Sequence, residues 1–151
     1  MWVLCILLLV TSSTLTVGCS CALGSLQQDV CGSKFIIRGT VQSEVIGTDI
    51  NDDIEYVVNV LEVLKDDTNS FPVNTSVSLW TPGNDGICRS PLTKGVEYFL
   101  GGRTDEATGK LRIALCDFRR KSSELKQCQK DLIQTNAFDC SCTTPECYQD
   151  C

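Results

Sequence analysis

Residues 34–42 read KFIIRGTVQ and residues 54–65 read IEYVVNVLEVLK, with the turn-rich, acidic GTDINDD (47–53) between them. In the first run Phe35, Ile37 and Val41 fall on one side of an extended chain, while Lys34, Arg38, Thr40 and Gln42 fall on the other. This period-two alternation predicts a half-buried strand. The second run is long and rich in β-branched residues, which suit a pleated surface. Two such runs with a turn-rich spacer predict neighbouring strands joined by a loop.

Outward from this pair, Ser76–Trp80 predicts a third short strand before the breaker cluster Thr81-Pro82-Gly83-Asn84-Asp85-Gly86. Then VEYFLGG (96–102) and KLRIALCDF (110–118) flank TDEATG (104–109), whose Thr108-Gly109 supplies the permissive residue of a hairpin turn. Five strands with turn punctuation and no helix between them predict a mainly β fold, a small barrel rather than a βαβ layout. In SSELKQCQKDLIQT (122–135) the period changes. Leu125, Cys128 and Leu132 recur at helical spacing after Ser122 or Ser123 as N-cap, which predicts one amphipathic helix packed on the barrel.

The opening MWVLCILLLVTSSTLTVG has an apolar core from Trp2 to Val10, a Thr/Ser stretch, and small residues at Thr16 and Gly18. That outline predicts a secretory signal peptide over residues 1–18, cut after Gly18, with a single domain over 19–151. The apolar run falls short of the roughly 20 residues a membrane span needs. Removing it leaves ten of the eleven cysteines, and an even count in an exported chain reads as a disulfide framework. A structural zinc site is disfavoured: there is no histidine, and the C-x-C and C-x4-C spacings are not paired knuckles. No cofactor is expected.

The net charge of −6 lies wholly beyond residue 18 and disfavours nucleic acid and anionic membrane as partners. Asn74-Thr75-Ser76 is a glycosylation sequon compatible with an exported surface loop. The absence of histidine also closes the Ser/His/Asp and Cys/His routes to nucleophilic catalysis, which need an imidazole as base. Asp52-Asp53 and Asp66-Asp67 read as solvated turn acids, so an enzyme is not expected.

The order of motifs resembles the tissue inhibitors of metalloproteinases. It consists of Cys19-Ser20-Cys21, nine residues holding Gln27-Gln28 before Cys31, the strand FIIRGTV, a lone Cys88 in DGICR, the hairpin EYFLGG to GKLRIALCDF, and the late DCSC cluster. The resemblance covers nearly all of residues 19–151 and corresponds to the inhibitory domain alone, without the second cysteine-rich domain of the vertebrate members. It implies a netrin-like version of the OB-fold, a five-stranded Greek-key barrel with helices beside it, and the disulfides Cys19–Cys88, Cys21–Cys116 and Cys31–Cys140. Four cysteines, Cys128, Cys142, Cys147 and Cys151, then remain, with three possible pairings.

The resemblance further implies a secreted, extracellular, monomeric inhibitor of zinc metalloproteinases of the matrix type. Once Cys19 is terminal, its amine and carbonyl oxygen belong to one residue and can close a five-membered ring on a metal. A free α-amine titrates at about 7.7–8.0, so a usable lone pair exists near neutrality. A catalytic zinc with three protein ligands keeps one water position that such a chelate can displace. Cys19 would thus bind the target's zinc in trans, with Ser20 directed into the specificity pocket. The expected contact ridge is Cys19, Ser20, Cys21, Ala22, Leu23 and Gly24 with Asp85, Gly86, Ile87, Cys88 and Arg89; the loop Val45–Asp53 reads either as an extension of it or as a solvated turn. Two departures stand out: Ser25-Leu26 replaces the family's His-Pro, and Arg119-Arg120-Lys121 stands where Pro-Trp follows the CDF segment. The competing reading is a netrin-like binding module of the extracellular matrix without inhibitory activity.

Overall fold

The computed structural model describes residues 19–21, 24–49, 52–67, 71–72, 74–84, 86 and 88–142. Its elements are helix α1 (Leu26–Gly32), strands β1 (Phe35–Val45), β2 (Ile54–Asp66), β3 (Ser76–Thr81), β4 (Glu97–Thr104), β5 (Leu111–Arg112) and β6 (Arg119–Lys121), and helix α2 (Gln127–Gln134). The expected signal peptide lies outside the described residues.

Strand order is β1-β2-β3-β5-β4-β6, and β1 also pairs with β4, which closes the first five strands into a barrel. The long β1–β2 ladder carries three register shifts, the last between Val41 and Ser43. Such bulges add twist and bend, which closure of a small barrel requires. At Gly39 a Cβ would meet Val58 Cγ1 at 2.7 Å and the Asn59 carbonyl oxygen at 2.8 Å, so only glycine lets β1 and β2 approach there.

The predicted alternation is realised. Phe35, Ile37 and Val41 point into the barrel with Tyr56, Val58, Val60, Leu79, Leu100 and Ile113, all essentially inaccessible to water. Ile36, which shares the face of Lys34 and Arg38, is also buried. With Phe99 and Phe118 it forms a second cluster under Val30 of α1 and Leu125, Ile133 and Phe138 near α2. The barrel is therefore covered by helices on one outer flank, which is why β1 and β4 are apolar on both faces there.

Three local expectations are revised. Helix α1 was not anticipated, although Ser25 and Gln28 form a reciprocal capping box; the S-x-x-Q spacing is its sequence signature. Helix α2 starts at Gln127 with Lys126 as N-cap, after a turn over 122–124 that takes up Ser122 and Ser123. Finally, KLRIALCDF is not one strand. Leu111–Arg112 pair with β4 and, in parallel, with β3, after which the chain turns at 115–117 and forms the separate strand β6.

Candidate functional site

The parallel pairing of β3 and β5 decides where the two internal partners of the N-terminal cysteines lie. Leu79 stands opposite Leu111 and Trp80 opposite Arg112, so both strands run toward the same end of the barrel. The loop after β3 carries Cys88 and the turn after β5 carries Cys116, and the two are joined by a hydrogen bond from Leu115 N–H to the Cys88 carbonyl at 2.9 Å. The β1–β2 tip lies at this end as well, because Ile54 pairs with Thr81 and Val45 with Glu55.

Onto these two loops the N-terminal segment is bolted. Cys19 bonds Cys88 and Cys21 bonds Cys116, with Cα–Cα distances of 5.4 and 5.3 Å. Cys31 at the end of α1 bonds Cys140, at 5.4 Å. These are the three pairs that the resemblance implies. Ser20 and Cys21 are exposed, Cys19 is half-buried, and the Cys19 sulfur sits 3.7 Å from the Gly86 carbonyl oxygen. Gly24 is exposed just ahead of α1. Ala22, Leu23, Asp85 and Ile87 of the expected ridge lie outside the described residues.

The Cys88 loop is held by more than its disulfide. Cys88 has φ +69°, a left-handed conformation that costs a non-glycine residue roughly 1–2 kcal/mol and persists only where neighbours enforce it. Next to it, Arg89 pairs with Glu44 at 3.0 Å, and Glu44 also accepts from the Tyr56 hydroxyl at 3.1 Å. That hydroxyl in turn accepts from Leu92 N–H at 3.2 Å inside the barrel. Ser90 N–H donates to the fully buried Thr81 Oγ1 at 2.8 Å, and Arg119 donates to Ser90 Oγ at 3.2 Å and to the Pro91 carbonyl at 2.9 Å. Glu44 and Tyr56 are supporting residues that sequence reasoning did not single out; Arg119 stood out only as a departure from the family pattern, and Thr81, expected in the breaker cluster, is instead the last residue of β3.

The Cys116 turn is organised by Asp117, whose carboxylate accepts from Ala114 N–H at 2.7 Å and from Arg103 at 3.3 Å. Burial raises the Asp117 carboxyl above the usual aspartate range, against the pull of the Ala114 N–H and Arg103. The far side of the hairpin tip is fixed as well: Arg112 holds Asp53 in a two-pronged pair at 2.9 and 2.7 Å. Between these anchors Val45 and Ile46 are 53 and 66% exposed, the large apolar side chains most open to water among the described residues.

Of the cysteines with open pairing, Cys128 is a free, exposed thiol and Cys142 is disulfide-bonded to a partner outside the described residues, where Cys147 and Cys151 also fall. Asn74 is exposed in the turn ahead of β3, with φ +59°, which asparagine tolerates better than most residues. Among the described residues, no helix is long and apolar enough to cross a membrane.

Comparison with known proteins agrees with this geometry. A family profile described as "Tissue inhibitor of metalloproteinase" matches residues 17–151. The chain is 29% identical over 152 residues to "Metalloproteinase inhibitor 2" of Homo sapiens, covering 94% of the chain and 66% of that relative. It is 25% identical over 139 residues to "Metalloproteinase inhibitor 4" of Rattus norvegicus, covering 86% and 60% respectively. The chain thus spans somewhat under two thirds of the length of these relatives. The match across the cysteine framework and barrel places this protein in the tissue inhibitor of metalloproteinase family.

Proposed function

We propose that this protein is a secreted inhibitor of zinc metalloproteinases, and that cleavage after Gly18 makes Cys19 its working terminus. The observation that carries the proposal is the anchoring of residues 19–21 by two disulfides to two loops that are themselves hydrogen-bonded together. Free chain ends fray and lose ordering entropy on docking. Here that ordering is already present in the free protein, so the amine and carbonyl of Cys19 can meet a metal as a pre-set chelate while Ser20, exposed between the bridges, enters the neighbouring pocket. Both sulfurs are occupied in disulfides, which leaves the backbone of Cys19 as the ligand and not its thiol.

Of the expected ridge, the described residues Cys19, Ser20, Cys21 and Gly24, with Gly86, Cys88 and Arg89, would form the contact surface together with the hairpin tip, whose exposed Val45 and Ile46 supply apolar contact. A sugar on Asn74 would not obstruct it: Asn74 precedes Ser76, at the opposite end of β3 from Thr81, about 17 Å away by strand rise. The target class is the matrix-type zinc metalloproteinases, and the inhibitor acts as a monomer.

The decisive experiment pairs N-terminal sequencing of the secreted protein with a variant carrying one alanine before Cys19. The expected results are a terminus at Cys19, full inhibition by the native form, and loss of inhibition in the extended form with its thermal midpoint unchanged. Inhibition by the extended protein at the native level would refute the chelation.

A further inference from the structure

Tyr56 is wholly buried in the barrel core and cannot touch a target, yet its hydroxyl is bonded to two separate parts of the proposed contact surface. The O–H donates to Glu44 Oε1 at 3.1 Å, at the foot of the β1–β2 tip, and the oxygen accepts from Leu92 N–H at 3.2 Å, in the segment that follows Cys88. The same Glu44 oxygen accepts from Arg89, next to Cys88, at 3.0 Å. We infer that Tyr56 is a positioning residue for inhibition. Through Glu44 and Leu92 it holds the β1–β2 tip and the Cys88 loop, and with that loop the disulfide-bound Cys19, in one fixed relation. The inference rests on the proposed inhibition of metalloproteinases by this surface.

Closure is the first ground. Tyr56, Glu44, Arg89 and the backbone from Arg89 to Leu92 form a ring of bonded contacts, so the tip cannot shift against the loop without stretching one of them. A single link would let the loop swivel; two links into it do not. Rigidity of the hub is the second ground. A barrel interior is packed about as densely as an organic crystal, and the Tyr56 ring belongs to that core. Its hydroxyl donates once and accepts once, so the polar end of the side chain is satisfied where it stands.

The contrast with Tyr98 separates positioning from mere anchorage. Tyr98 is also buried and grips the same segment from within the barrel, accepting from Thr93 N–H at 3.2 Å. It stands opposite Gly39, well back along β1, and among the described residues its hydroxyl makes no bond to the tip. Anchorage of the loop alone would be served by either tyrosine. Only Tyr56 joins the loop to the end of β1, where Val45 and Ile46 follow Glu44.

The test compares Tyr56→Phe with Tyr98→Phe, each of which deletes one buried hydroxyl and leaves one N–H of the same segment without its acceptor. Backbone amide signals are recorded by NMR on the free secreted protein. Inhibition constants are measured against a matrix-type zinc metalloproteinase and corrected for the folded fraction from urea denaturation. Both variants should lose similar stability. Tyr56→Phe alone should shift the amide signals of Val45 and Ile46 together with those of Cys88 and Arg89. It should also weaken inhibition by about fivefold or more, against less than about twofold for Tyr98→Phe. Should Tyr56→Phe fail to fold, Glu44→Ala removes the partner outside the core, and the signals of Arg89 and Leu92 should shift. Equal inhibition by the two tyrosine variants, shifts in Tyr56→Phe confined to Leu92, or unmoved Arg89 and Leu92 signals in Glu44→Ala would each overturn the inference. An absence of inhibition by the native protein would instead refute the proposed function, and the two failures are told apart because the amide signals of the free protein need no target.

Discussion

Two projections leave the same end of the barrel and are held in different ways. The N-terminal segment 19–21 is tied by covalent bonds to loops after β3 and β5. The β1–β2 tip is tied by charge, through Glu44 to Arg89 on one side and Asp53 to Arg112 on the other. Disulfides fix a geometry regardless of salt and pH, whereas partly exposed ion pairs are worth about 0.2–1 kcal/mol and weaken with ionic strength. The difference suits the proposed division of labour, in which a fixed wedge would chelate the target's metal and an adjustable loop beside it would select among targets.

Removing the covalent side of the comparison has the largest expected effect. Cys21→Ser/Cys116→Ser leaves Cys19 and its bond to Cys88 intact but frees the segment beyond Ser20. We expect a loss of about 2–4 kcal/mol in urea denaturation and an inhibition constant weakened more than tenfold; unchanged inhibition would show that one bridge suffices to order the wedge. Next in size is Thr81→Val, which keeps the volume but leaves the buried Ser90 N–H without its acceptor. An unsatisfied buried donor costs about 1–3 kcal/mol, so stability should fall in that range and the Ser90 amide should exchange faster with solvent.

How far these regions were legible in the sequence follows the same division. The barrel strands announced themselves, because alternation in KFIIRGTVQ and the long IEYVVNVLEVLK report burial directly. The even cysteine count pointed to a disulfide framework, but the roles and pairing of Cys19, Cys88 and Cys116 came from the resemblance to the inhibitor family. What stayed hidden depends on tertiary placement. Nothing local distinguishes Thr81 or Glu44 from other polar strand residues until the parallel β3–β5 pair brings the loops together. Strand β6 was masked by its composition: RRK has no apolar alternation, and it is a strand only because Tyr98, Phe99 and Leu100 of β4 offer it a ladder. Ile36 shares its face with Lys34 and Arg38 by period two, and its burial follows from where the helices pack, which the sequence does not specify.

The electrostatic side of the comparison predicts smaller, more selective changes. Glu44→Gln should cost no more than about 1 kcal/mol, because the amide still accepts from Tyr56 but no longer neutralises Arg89. Its signature is a change in the ranking of inhibition constants across a metalloproteinase panel, with the difference from the native protein shrinking as salt rises. A uniform loss against every enzyme would mean that the tip shares the wedge's role rather than tuning it.

The smallest effect concerns the covalent side again, through the turn that carries Cys116. Burial raises the Asp117 carboxyl in the folded protein above its ordinary value of 3.8. The native state therefore holds this proton more tightly than the unfolded chain does, so Asp117 favours folding most when it is protonated. Its contribution falls as pH rises from about the ordinary aspartate value through the raised folded one, and is flat above that window. Asp117→Asn removes the titration while keeping an acceptor for Ala114 N–H. The stability of the native protein relative to this variant, from urea midpoints between about pH 3 and 7, should accordingly decline with rising pH in the lower part of the range. A difference that grew with pH would mean that Arg103 and the Ala114 N–H outweigh burial, making the Cys116 turn, like the hairpin tip, a charge-held element beneath its disulfide.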